Sequence, residues 1–178
     1  MKKIKIIIII LGILFNINFT ACLDATRTTE TCSTAQDHSR IISAGGSVTE
    51  ILYFLGQENK IVALDVTSNY PNVTKNKPSI GYVRGLSAEG ILSMNPTLLI
   101  GENDMGPTST INQLKEVGLD VRSIPETPNE DGIIEKIYCI SEIINKTSIA
   151  RDSIEKNIIP IVKELKEIRK KNKLQPKK

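Results

Sequence analysis

A chain of 178 residues is long enough for one domain with appendages. Its formal charge of +3, from 23 basic and 20 acidic side chains, vanishes once Lys2, Lys3 and Lys5 are set aside, which excludes the basic surface that nucleic-acid binding needs. Three cysteines do not make a disulfide framework, and one histidine, with no Walker loop, Cys-x-x-Cys pair or His-Glu-x-x-His motif, leaves little from which to build an enzyme.

Residues 1–21 have the layout of a secretory signal: Lys2, Lys3 and Lys5, then the apolar run Ile6 to Phe15. The run is too short, and too soon interrupted by Asn16 and Asn18, for a transmembrane helix. Phe19-Thr20-Ala21-Cys22 resembles a bacterial lipobox, with Phe19 where leucine is usual. That resemblance implies lipidation at Cys22 and a membrane tether, with plain secretion as the alternative. Residues 22–39 are rich in Thr, Ser and Asp and are expected to be a flexible tether. Cys32 and Cys139 are expected to be unpaired. His38 has the setting of an ordinary surface residue, with a metal role as the sharper reading.

From Arg40 the pattern alternates strand and helix, which predicts an α/β lobe over residues 40–146 with a mainly parallel, Rossmann-like sheet. Strands are expected at Arg40–Ala44, Ile61–Asp65, Pro96–Gly101 and Asp120–Ile124. Gly45-Gly46 makes a tight turn, and Ser47-Val48-Thr49-Glu50 fits a capping box with Ser47 as N-cap. Its helix amides could face an anion, although a plain βα turn explains the same residues. A long irregular connection over Val66 to Leu86 marks a functional loop. Ser87 caps a short helix, Pro107 opens another, and Ile133, Ile137, Ile140 and Ile144 mark the apolar face of a third. Residues 147–178 form a long amphipathic helix with a basic tail, with Pro160 expected to kink it. The basic end reads as a solvated helix end, with an anionic membrane as the minor alternative.

Within the long connection lies Gly81-Tyr82-Val83-Arg84-Gly85. A free phenol has a pKa near ~10. Ferric iron and a neighbouring guanidinium both favour its anion, and tyrosinate is an established haem ligand. The plainer reading of Tyr82 is a half-buried loop tyrosine. Tyr70, in Asn69-Tyr70-Pro71, is the competing candidate.

Arg40 to Ile51, Asp65 to Pro71, and Gly81 to Ser93 followed by Pro96-Thr97-Leu98-Leu99 together resemble the haemin-binding periplasmic proteins of bacterial ABC importers. Asp104-Met105-Gly106-Pro107 adds to the likeness. The resemblance runs from Arg40 to the end and implies the first of two α/β lobes plus a linker helix, with the second lobe lacking. It implies capture of ferric haem, the transported ligand, and delivery to an inner-membrane permease and its ATPase. It makes Tyr82 the axial iron ligand and Arg84 the hydrogen-bond partner of its phenolate. Gly45, Gly46 and Ser47 would face a haem propionate, and Glu89 would dock on the permease, although a first-turn glutamate also serves the helix dipole. A cobalamin or ferric-siderophore binder of the same fold, or a non-transporting lipoprotein lobe, are the alternatives.

Overall fold

The computed structural model describes residues 31–174. The expected signal, the lipidation site Cys22 and the last four residues lie outside the described residues. Four strands form one parallel sheet in the order β2-β1-β3-β4: β1 Ile41–Ala44, β2 Ile61–Leu64, β3 Leu98–Glu102 and β4 Asp120–Ile124. The helices are α1 Gly46–Phe54, α2 Ala88–Leu92, α3 Thr108–Glu116, α4 Glu130–Ile143, α5 Thr147–Ser153 and α6 Ile159–Leu174. This is the α/β architecture that the alternating pattern predicts.

Successive strand residues point to opposite faces, so a sheet covered on both sides needs apolar residues at every position. Ile41, Leu98 and Ile100 accordingly pack beneath α1 and α4. Ile42, Ala44 and Leu99 pack on the other face with Ile91 of α2 and Leu114 of α3. Each fully buried leucine or isoleucine stabilises this arrangement by about 1.5–3 kcal/mol.

Two helix starts differ in their caps. Ser87 Oγ accepts from the Gly90 N–H and caps α2, as expected. The capping box at Ser47 does not form: Gly45 is the N-cap of α1 with no side-chain bond, and Ser47 turns its hydroxyl to Glu102. A carboxylate from a neighbouring strand wins over the local Glu50, which is exposed.

The cysteines also differ from expectation. Cys32 and Cys139 form a disulfide spanning 107 residues of sequence. Residues 31–39 are therefore not a free tether. Ala35 is buried and its N–H donates to the Ile143 carbonyl at 2.9 Å. Arg122 donates to the carbonyls of Thr31 and Ser33 at 3.1 and 3.2 Å.

The irregularity expected at Pro160 falls in the turn just before it, where Ile154–Ile158 is a π-helix. Proline offers no N–H and its ring crowds the carbonyl four residues back, so a widened turn relieves the clash. Ile154 and Val162 are buried against the lobe, while Ile161, Leu165 and Ile168 face outward. Lys166 pairs with Asp131 at 2.6 Å and Arg169 with Glu130 at 2.7 Å, tying α6 to the start of α4.

Candidate functional site

Strand order places the site. The chain starts at β1, steps out to β2, and returns across β1 to β3 and β4. Beyond the carboxyl ends of β1 and β3, connections leave in opposite directions and open a crevice, the usual ligand position in such sheets. Gly45 follows β1 and Glu102 ends β3 at this point.

The two fit closely because Gly45 lacks a side chain. Its φ is 125°, and a Cβ there would meet the Glu102 side chain at 2.5 Å. Asp65, just past β2, fixes the turn from below. Its carboxylate accepts from Gly45 N at 2.8 Å, Ser68 Oγ at 2.7 Å and Thr67 N at 2.9 Å. Asp65 is almost fully buried, and these donors replace the water it has lost. A hydroxyl chain continues from Ser68 through Thr49 to Ser43, at 2.7 and 2.8 Å.

Tyr82 and Arg84 lie on the loop that crosses this edge. The loop is pinned where the Val83 carbonyl accepts from Gly106 N at 2.9 Å and the Gly106 carbonyl accepts from Leu86 N at 2.7 Å. Val83 and Leu86 are buried, which leaves the alternate residues Tyr82 and Arg84 outward, Tyr82 half exposed. The Arg84 guanidinium goes to Asp104, not to the Tyr82 phenol: Nε donates to Oδ2 at 2.7 Å and Nη2 lies 2.5 Å from the same oxygen. The hydrogen bond and charge of Asp104, and then the Tyr82 phenol, raise the Arg84 pKa above its usual value, so the cation persists at every working pH.

On the α1 side of the same edge is a cleft of about 890 Å³. Tyr53, Phe54, Tyr70, Ile133 and Ile158 supply much of its wall, and Gly46, Ser47 and Lys136 stand at its polar part. Gly132, also on the wall, lies so close to the Thr127 carbonyl that a Cβ would meet it at 2.0 Å. Lys136 is only 9% exposed. Its Nζ donates to Ser47 Oγ at 3.1 Å and lies 3.4 Å from Glu126. Ser47 Oγ in turn donates to Glu102 at 2.8 Å. A polar seam thus crosses the edge, from Arg84–Asp104 through neighbouring Glu102 to Ser47, Lys136 and Glu126.

The periplasmic binding protein family model matches residues 41–178. The chain belongs to this family. Among solved structures, it is 37% identical to the periplasmic heme-binding protein RhuT from Roseiflexus sp. RS-1, with a TM-score of 0.62 over 65% of this chain and 44% of that one. It is 37% identical to the periplasmic heme-binding protein HutB of Vibrio cholerae, with a TM-score of 0.64 over 80% of this chain and 52% of that one. It is also 31% identical over 87 residues to the vitamin B12-binding protein of Yersinia pestis (strain Pestoides F), which is 49% of this chain and 31% of that protein. The chain thus spans about a third of the length of such curated relatives and about half that of the solved ones.

In this member of the binding-protein family, the sequence candidates fall into two groups along one edge. Gly46, Ser47 and Tyr70 line the cleft, and Gly45 adjoins it; Tyr82 and Arg84 stand outside its wall on the crossing loop. Glu89 is exposed in the first turn of α2. His38 is partly buried; burial first, then the charge of Lys60, holds its pKa below the usual value. Among the described residues, no group of three or more His, Cys, Asp or Glu could hold a metal ion. Sequence reasoning missed Asp65, Glu102, Glu126 and Lys136. The one available signal was position, since Asp65, Glu102 and Glu126 follow or end predicted strands, where parallel sheets place their ligands.

Proposed function

We propose that this chain captures ferric haem and presents it to an ABC permease in the envelope, acting by binding rather than catalysis. The observation that carries this reading is Tyr82, half exposed beside Arg84 on a pinned loop at the crossing edge of the sheet. Heme-binding relatives at 37% identity support it. Tyr82 would ligate the iron through its phenolate oxygen. The Arg84 cation, held by Asp104, would favour that anion, and the iron itself would favour it further. The cleft beside Gly46 and Ser47 would receive one apolar edge of the macrocycle. A periplasmic position, with or without lipid at Cys22, and docking through Glu89 complete the reading.

Titration of the mature chain with haemin tests it. The expected result is a tyrosinate-to-iron charge-transfer band that disappears in Tyr82→Phe, with affinity falling about tenfold or more, which is about 1.4 kcal/mol or more. An identical spectrum in the variant removes Tyr82 from the role. A corrinoid is the second reading, favoured by the curated vitamin B12-binding relatives. Saturable cyanocobalamin binding that Tyr82→Phe leaves unchanged, with no haemin binding, would establish it instead.

A further inference from the structure

The geometry points to Lys136 as the residue that recognises a carboxylate on the ligand, and so to an amphipathic ligand whose apolar edge enters the cleft with an acid group at its Ser47 end. This rests on the haem reading and assigns an end of the ligand to a side chain.

An ammonium taken out of water needs its donors satisfied. Lys136 has three N–H donors and, among the described residues, two partners, one of them distant, Glu126 Oε1 at 3.4 Å. Glu126 is 53% exposed, so solvent competes for it and it is a loose partner for a cation only 9% exposed. The other partner, Ser47 Oγ, already donates its own proton to Glu102. Glu102 also accepts from Ser47 N at 3.3 Å, so that carboxylate is occupied by Ser47. Among the described residues, Lys136 is the only basic side chain on a wall otherwise supplied largely by Tyr53, Phe54, Tyr70, Ile133 and Ile158. An incoming carboxylate would take the place of Glu126 and also supply the third partner. The α1 amides begin at the same point, since Gly46 and Ser47 are its first residues, and their dipole adds to the attraction. The Glu50 carboxylate on the same wall repels anions that arrive away from Lys136, which favours one placement of the acid group.

The test compares haemin with haemin dimethyl ester, which keeps the iron and macrocycle and loses both acids. The wild-type chain, Lys136→Met and Glu126→Gln are titrated with each. Lys136→Met should weaken haemin binding by about 10- to 100-fold and leave the ester unchanged, as expected for a lost charge-assisted hydrogen bond. Glu126→Gln, changed at an exposed position, should bind haemin more tightly than wild type. Equal haemin affinity in wild type and Lys136→Met, or equal weakening toward haemin and ester, overturns the assignment while leaving the haem reading intact. If Lys136→Met does not fold, the absence of tightening in Glu126→Gln overturns it. A wild-type chain that binds neither probe overturns both.

Discussion

Lys136 is taken largely out of water and His38 partly so, and the fold treats them differently. Lys136 keeps partners and faces a cleft, whereas His38 Nδ1 is buried with no hydrogen-bond partner among the described residues. Burial first, and then the charge of Lys60, disfavour a protonated His38, so its folded pKa lies below the usual value of about 6.5. The unfolded chain then binds a proton more readily than the folded one in the window just below that value. Stability therefore rises with pH through the window, is fully present above about 6.5, and is lost as pH falls through the folded pKa. Urea unfolding midpoints measured at about pH 5 and pH 7.5 should differ in that direction, with the difference reduced in His38→Gln. An unchanged difference in the variant would assign the pH dependence to other groups.

The turn from β1 to α1 is the element on which the site depends. Gly45 lets the backbone take a φ of 125° while Glu102 occupies the space a side chain would need. Gly45→Ala should cost about 1–3 kcal/mol in backbone strain, with the displacement of Glu102 added, and a chemical denaturation midpoint equal to wild type would contradict this. Much of this element was legible in sequence: an apolar run, two glycines and a polar helix start. What defeated the local reading was Glu102, some fifty residues away, which draws Ser47 from the capping role that Glu50 should have shared. The same limit hid Lys136. Along α4 the evident apolar stripe was Ile133, Ile137, Ile140 and Ile144, yet Ile133 is 44% exposed and Lys136 is buried. On this helix Cys139 faces Cys32 and Lys136 reaches Ser47, so its buried side is not the isoleucine stripe alone. The strands were easier, since parallel strands buried on both faces show as unbroken apolar runs. Tyr82 was visible from its motif, but its outward position depends on Gly106 binding the loop on both sides, which no local pattern shows.

At the scale of the whole molecule, the Cys32–Cys139 bridge closes a loop that contains the entire sheet. Cross-linking residues this far apart restricts the unfolded chain, and its removal typically costs about 2–5 kcal/mol. Cys32→Ser with Cys139→Ser should lower the urea midpoint accordingly, and a reducing agent should do the same to wild type but not to the double variant. Equal midpoints for wild type and double variant would show that the packed residues 31–39 suffice. Cys139 lies in the second half of α4, a helix that starts after the carboxyl end of β4 and runs back across the sheet. The covalent bond therefore joins α4 about one turn past Lys136, toward the strand starts. In mechanical terms the load path runs through the helix that carries Lys136 but not through the loop that carries Tyr82. Tension entering at residue 31 would pass in part through sulfur into α4 rather than wholly along the backbone to β1, so tugging on the leading end would reach the turn at Gly45 by way of α4 and Lys136.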